Sequence, residues 1–219
     1  MIIPAGPTEH RGGRGRGLVA GGRDVPSTGA VRESIDMHEI ATTGNAIDFG
    51  DLAEENTGPS GGNSSTTRAV YGAGYEYPAD AQTDRLQFVI MSSSGGAVNF
   101  GNLVNGNNSA IGCASNNTRG IFFGGNNPEY VPFLSQINLQ SLGTESDFGT
   151  VFENEPIRNV ATATSPTRAV FGGGDPSTVN IIDFVTTSTL GNAADFGDKT
   201  AGGAYASGLT SNAVRGLAT

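Results

Sequence analysis

One line of this chain is written several times over. Arg168-Ala169-Val170-Phe171-Gly172-Gly173-Gly174 has relatives in Arg68-Ala69-Val70-Tyr71-Gly72-Ala73-Gly74 and Arg119-Gly120-Ile121-Phe122-Phe123-Gly124-Gly125. A weaker copy is Arg16-Gly17-Leu18-Val19-Ala20-Gly21-Gly22, and Arg215-Gly216-Leu217-Ala218-Thr219 is a partial one. The arginines step by 52, 51, 49 and 47 residues, from 16 to 68, 119, 168 and 215. A second motif keeps the same beat. Gly44-Asn45-Ala46-Ile47-Asp48-Phe49-Gly50-Asp51 recurs as Gly191-Asn192-Ala193-Ala194-Asp195-Phe196-Gly197-Asp198, with looser copies at 95–102 and 143–150. Two motifs in one order at one period define a repeated structural unit.

Spacing divides the unit. From each Phe to the next Arg is 19, 19, 20 and 19 residues, whereas from Arg to the following Phe is 33, 32, 29 and 28. The constant half reads as strands locked by pairing, and the variable half contains a surface loop that tolerates insertion. Each unit resolves into four short antiparallel strands. Strand d is the small-residue run before the Arg (110–115, 160–164, 204–208). Strand a is the Arg-x-Val-Phe-Gly run, and strand b is 180–186 with relatives at 85–91 and 135–140. Strand c surrounds Asp195-Phe196-Gly197. Four strands in about 50 residues is the size of a propeller blade. Composition agrees: Gly is 34 of 219 residues and Lys occurs once. Helices want Ala, Leu, Glu and Lys, and an interior Gly costs them about 1 kcal/mol. The expected fold is therefore an all-β propeller of four blades, or of five with a truncated last blade. A Gly/Arg arm, 1–15, precedes a single domain, 16–219. Its repeats fall at about 16–67, 68–118, 119–167 and 168–214, with a partial one at 215–219. The first blade lacks its own d strand, and the last d strand could supply it and close the ring. The surplus 215–219 then adds an edge strand, begins a fifth blade or pairs with a neighbouring subunit, and the sequence leaves closure and pairing with a neighbour both open.

The Arg-x-Val-Phe-Gly-Gly-Gly run followed by an apolar strand resembles the kelch repeat, without the Tyr and Trp that usually follow its Gly pair. It is more similar to degenerate kelch-like repeats in structural proteins of marine tailed bacteriophages, cyanophages above all. Residues 168–198 carry that resemblance almost throughout, 44–52 carry it closely, and it extends from about residue 16 onward. It implies a kelch-like β-propeller in a virion, set on the head, neck, tail or fibre with other virion proteins as partners in a symmetric assembly.

The residues were weighed for chemistry beside this. Net charge is -9, so the surface does not attract phosphate backbones. The tail Arg11-Gly12-Gly13-Arg14-Gly15-Arg16 is like an RGG box, but it is one short copy without an aromatic, and nucleic acid is not the expected partner. Cys113 is the one cysteine, so no internal disulfide forms. Met1-Ile2-Ile3-Pro4 lacks the charged head of a signal peptide, and no apolar run reaches the ~18 residues of a membrane span, so a soluble protein with no membrane partner is expected. His10 and His38 are the only histidines; His38 falls in a b strand, and no nucleophile-elbow motif accompanies it. A kelch-type copper site would need two His, two Tyr and a Cys, but His10 lies in the Gly/Arg tail. Asp48 with Asp51 and Asp195 with Asp198 could offer carboxylates to calcium, yet the other repeats read Asn99 with Asn102 and Asp147 with Thr150. No cofactor, metal or catalytic set is expected, and no enzyme.

Repeat positions are expected to build the blades. Asp48, Asp147 and Asp195 should orient turns through nearby amides. Arg68, Arg119 and Arg168 should fix blade geometry by a salt bridge or hydrogen bond to a carboxylate such as Asp48 or Asp195. On that basis Arg168→Ala lowers the melting temperature and leaves partner binding intact. Phe49, Phe100, Phe148 and Phe196 mark strand c. Two functions remain open: a non-enzymatic virion module, and a propeller that binds host-surface carbohydrate. Tyr75, Tyr77 and Tyr130 in the variable loops are the candidate contacts for the second. The face carrying the a–b loops (23–30, 75–83, 126–132, 175–178) is expected to meet the partner.

Overall fold

A computed structural model of the chain describes residues 15–22, 32–53, 61–76, 81–104, 111–126, 129–154, 156–174, 180–200, 209–211 and 215–218. The described residues are all-β apart from one 3-10 turn, Phe152–Asn154. None of their helices is long and apolar enough to cross a membrane. The arm and His10 lie outside the described residues, as do loops 23–30 and 175–178.

Four antiparallel sheets follow one another along the chain. Sheet 1 holds β1 (Arg16–Ala20), β2 (Ser34–Glu39) and β3 (Ile47–Asp51). Sheet 2 holds β4 (Gly61–Ser64), β5 (Arg68–Glu76), β6 (Ala81–Ile90) and β7 (Val98–Asn102). Sheet 3 holds β8 (Gly112–Ser115), β9 (Arg119–Phe123), β10 (Phe133–Asn138) and β11 (Ser146–Thr150). Sheet 4 holds β12 (Ala161–Thr164), β13 (Arg168–Gly172), β14 (Ile181–Thr186) and β15 (Ala194–Asp198). Within each sheet the spatial order is d-a-b-c, as the repeat predicts, and sheet 1 has no d strand. The hairpin of sheet 2 departs from the predicted loop. Its ladder shifts register between Gly72 and Gly74 and then resumes, pairing Tyr75 with Gln82.

The sheets stack face to face, because the a and b strands carry apolar residues on both faces and the c strands add a buried Phe in sheets 1 to 3. Leu18, Ile35 and Phe49 of sheet 1 pack on Tyr71, Val89 and Met91 of sheet 2. Val70, Leu86 and Phe100 then pack on Phe122, Ile137 and Leu139. Ile121, Leu134 and Phe148 pack on Phe171, Val185 and Ala193. Each sheet thus has a rear face toward the sheet before it and a forward face toward the sheet after it. The d strands form a column in which only small residues fit. A Cβ on Gly61 would lie 2.4 Å from the Cys113 sulfur. Hydroxyls stitch the column: Ser115 Oγ donates to the Ser64 carbonyl at 2.9 Å. Ser211 Oγ does the same to the Thr164 carbonyl at 2.7 Å.

Ser211 belongs to β16 (Leu209–Ser211), which pairs with β17 (Gly216–Ala218). Among the described residues the only strand paired with β1 is β2, so the expected closure is not formed there. Residues 204–208 lie outside the described ones; β16 is the strand that stands in the d column, and its partner is β17 rather than β1. The cause is local. Arg215 and β17 repeat the Arg16-Gly17-Leu18 of β1 and lie close to β16 in sequence, whereas pairing with β1 would close a loop of nearly the whole chain.

One irregularity recurs in all four sheets. The b–c ladders slip between Ile35 and Asp36, Leu86 and Gln87, Leu134 and Ser135, and Ile182 and Asp183. The extra residue is Phe49, Phe100, Phe148 or Phe196, followed by a Gly at φ +151, +154, +152 or +137. Each is a β-bulge, which kinks the strand and re-aims the bulged side chain. The glycine is required twice over. Its φ is strained for any residue with a Cβ, and a Cβ on Gly101 would lie 2.1 Å from the Gly143 carbonyl oxygen of the next sheet. Gly197, at the same place in sheet 4, has nothing within 4 Å. Gly101→Ala should therefore cost about 2–4 kcal/mol, strain plus overpacking. Gly197→Ala should cost less, about 1–2 kcal/mol, from strain alone. Urea unfolding of the two variants checks the difference.

Candidate functional site

The positions that the repeat preserves come together between sheets. The bulged Phe turns its ring onto the forward face, and its carbonyl, unused by the ladder, points at the next sheet. Gly95 N donates to Phe49 O at 2.8 Å, Gly143 N to Phe100 O at 3.0 Å, and Gly191 N to Phe148 O at 2.9 Å. Two residues on, Ala97, Glu145 and Ala193 donate their amides to the carbonyls of Asp51, Asn102 and Thr150. The b–c turn of each sheet is thereby sewn to the c strand of the sheet before it.

The arginines complete the same joint. Arg16 Nη1 donates to Met91 O at 2.7 Å, Arg68 Nη1 to Leu139 O at 3.2 Å, and Arg119 Nη1 to Thr187 O at 2.8 Å. Arg68 also lies 4.9 Å over the Phe88 ring, and Arg119 lies 5.7 Å over Phe148. Their partner is a backbone carbonyl at the end of strand b in the next sheet, not the carboxylate of Asp48 or Asp195 that the sequence led us to expect. Those carboxylates sit on the exposed side of strand c, away from the joint. Arg16 also forms an ion pair with Glu39, at 3.4 Å. Arg168 differs from the other three. It is exposed, lies 4.4 Å over Phe184, and donates to no carbonyl among the described residues.

Asp195 accepts the Gly197 amide at 2.8 Å and so braces the bulge rather than a turn. Asp48 and Asp147 are exposed at the same place. Phe49, Phe100 and Phe148 are buried; Phe196 is 53% exposed. Tyr75 stands in β5, Tyr77 lies outside the described residues, and Tyr130 is half-buried under the Arg158 guanidinium at 4.3 Å. His38 is exposed on β2, although its counterparts Val89, Ile137 and Val185 are buried. Burial pushes the Cys113 thiol up, which leaves it protonated and unreactive. Among the described residues no group of three or more His, Cys, Asp and Glu side chains comes together.

A further set of residues went unread in the sequence. The amide that follows each c strand needs an acceptor, and strand b of the next sheet supplies one in two cases. Gln87 Oε1 accepts from Ala53 N at 2.7 Å, and Asp183 Oδ2 accepts from Phe152 N at 3.3 Å. In sheet 3 the equivalent residue is Ser135, too short to reach, and Glu145 Oε1 accepts from Val104 N at 2.7 Å instead. The available signal was a polar residue set thirteen positions before each Phe, with an apolar residue on either side: Asp36 and Gln87, and Asp183 in sheet 4, with Ser135 at the same place in sheet 3.

No family model matches the chain, and no curated protein matches it.

Two predictions follow from this geometry. Arg119→Ala removes a charge-assisted bond across a joint and should cost about 1.5–3 kcal/mol. Arg168→Ala removes only a ring contact at an exposed site, worth no more than about 1 kcal/mol. Thermal unfolding of the two variants tests the order. The Asp183 carboxyl is pushed up from 3.8 to about 6, first by burial and then by the charges of Asp195 and Glu153, against the pull of the Phe152 amide. The folded protein holds that proton more tightly than the unfolded chain. Stability therefore falls as pH rises from about 4 through about 6 and is level above. Asp183→Asn should melt higher than the parent at pH 7.5, by about 2–4 °C for a gain near 1 kcal/mol. The difference should vanish as pH drops to 4.

Proposed function

We propose that the chain is a non-enzymatic structural module of a bacteriophage virion, its sheets being blades of a kelch-like β-propeller. One observation carries the reading. The positions that the repeat preserves, Arg, the bulged Phe and the Gly after it, are consumed in sheets 1 to 3 in joining one sheet to the next. A pattern spent on internal joints marks a scaffold. Recognition is left to the parts that vary, the a–b loops, which share one side of every sheet because the strands alternate in direction. Those loops are the proposed contact with other virion proteins. The sequence resemblance supplies the setting, and the acidic, Lys-poor composition suits a protein that sits on other proteins rather than on nucleic acid.

The reading is tested on particles purified from the phage that encodes the chain, with copy number measured by quantitative mass spectrometry. Presence at a fixed number per particle is expected. Hundreds of copies place it on the head, and a few to a dozen or two place it on neck, tail or fibre. Expression in infected cells with none in the particles overturns the proposal. Saturable binding on a glycan array, lost in a Tyr75→Ala/Tyr77→Ala variant, would favour carbohydrate recognition instead.

A further inference from the structure

Three joints inside the chain are built alike, and each couples a forward face to a rear face. Sheet 4 has the forward half of a fourth joint, and sheet 1 has the rear half. On sheet 4, Phe196 is 53% exposed where its three counterparts are 2–3% exposed. On sheet 1, Ile40 is 61% exposed where Met91, Leu139 and Thr187 are buried. We propose that sheet 1 of a second copy of this chain seats on sheet 4 of the first, head to tail, through the bonds that the chain already makes three times within itself.

Every element of the joint has a waiting counterpart. Arg168 takes the place of Arg16, Arg68 and Arg119, and the Ile40 carbonyl takes the place of the three carbonyls they hold. The amides of Gly44 and Ala46 correspond to those that bond across the other joints, and the carbonyls of Phe196 and Asp198 correspond to their acceptors. None of these four groups makes the equivalent bond among the described residues. Asp36 stands where Gln87 and Asp183 stand, and it would accept the Thr200 amide as they accept those of Ala53 and Phe152. The open space at Gly197 has the same meaning. Gly50, Gly101 and Gly149 are each closed over by a glycine carbonyl of the next sheet, and the Gly44 carbonyl would close over Gly197.

Strand count points the same way. Sheet 1 lacks a d strand, and β16 stands in the d column one step beyond sheet 4, paired to β17, a copy of β1. When the second copy docks, its β1 replaces β17 beside β16, and a complete d-a-b-c sheet results. The occupant is a second copy rather than the chain's own sheet 1, because in the folded chain Phe196 and Ile40 both remain exposed. A contact between two different faces is heterologous, and it closes into a ring or runs on as a filament. The inference does not depend on the virion reading.

Sedimentation velocity of the full chain over a wide range of concentration tests it. The parent should associate. Gly197→Ala, which blocks the forward face, and Ile40→Asp, which blocks the rear face, should each weaken association at least about tenfold while keeping the parent's circular dichroism. Mixing the two variants should restore a one-to-one dimer, since each retains the face that the other has lost. A parent that stays monomeric at every concentration overturns the proposal. If the Gly44 and Ala46 amides are then protected from exchange, the chain has closed on itself instead. Association that survives both substitutions also overturns it, because another surface is responsible.

Discussion

Stacking of these sheets depends on one backbone event, the bulge at Phe-Gly in strand c. An ordinary antiparallel ladder uses every second carbonyl within the sheet and leaves the rest at the edge. Slipping one residue frees the Phe carbonyl, tilts it out of the sheet plane and turns the ring onto the forward face. The next sheet can then offer an amide to that carbonyl and an apolar surface to that ring. Glycine must follow, because φ there is near +150° and because the neighbouring carbonyl occupies the space of a Cβ. The edge strand of each sheet is so converted from an open ladder into an interface, one of the ways an exposed edge is protected.

Burial of each joint brings a cost that the sequence meets in different ways. The amide after strand c leaves solvent when the next sheet arrives, and an orphaned buried donor costs about 1–3 kcal/mol. An amide side chain (Gln87), a carboxylate in the facing turn (Glu145) and a carboxylate in the strand (Asp183) are three answers to the same demand. They are not equal. Gln87 brings no charge, whereas Asp183 must desolvate one beside Asp195 and Glu153, and its proton affinity rises accordingly. Sheet 4 is thus the one in which pH reaches into a joint through strand b.

The repeat makes the interior self-similar, and what distinguishes the sheets is their place in the stack. Arg16, Arg68 and Arg119 are engaged because a sheet follows theirs, and Arg168 is exposed because among the described residues only β16 and β17 follow its own. His38 has the address of a core valine and is exposed because no described sheet precedes sheet 1. Identical sequence positions therefore differ in burial, in partner and in their tolerance of substitution.

The period and the strand order within each unit were legible in the sequence, because local hydrophobic alternation and turn residues set them. The d strand Gly61–Ser64 was harder to read, since a column of small residues has no apolar signature until its neighbours are known. Tertiary structure alone decided that the arginines bind carbonyls, that the Phe is a bulge and that β16 pairs with β17 rather than β1. The physical reason is shared. Each of these is a relation between sheets or between distant segments, fixed by which unsatisfied backbone groups face one another once the sheets stack, whereas sequence alone records only which strands have faces to stack.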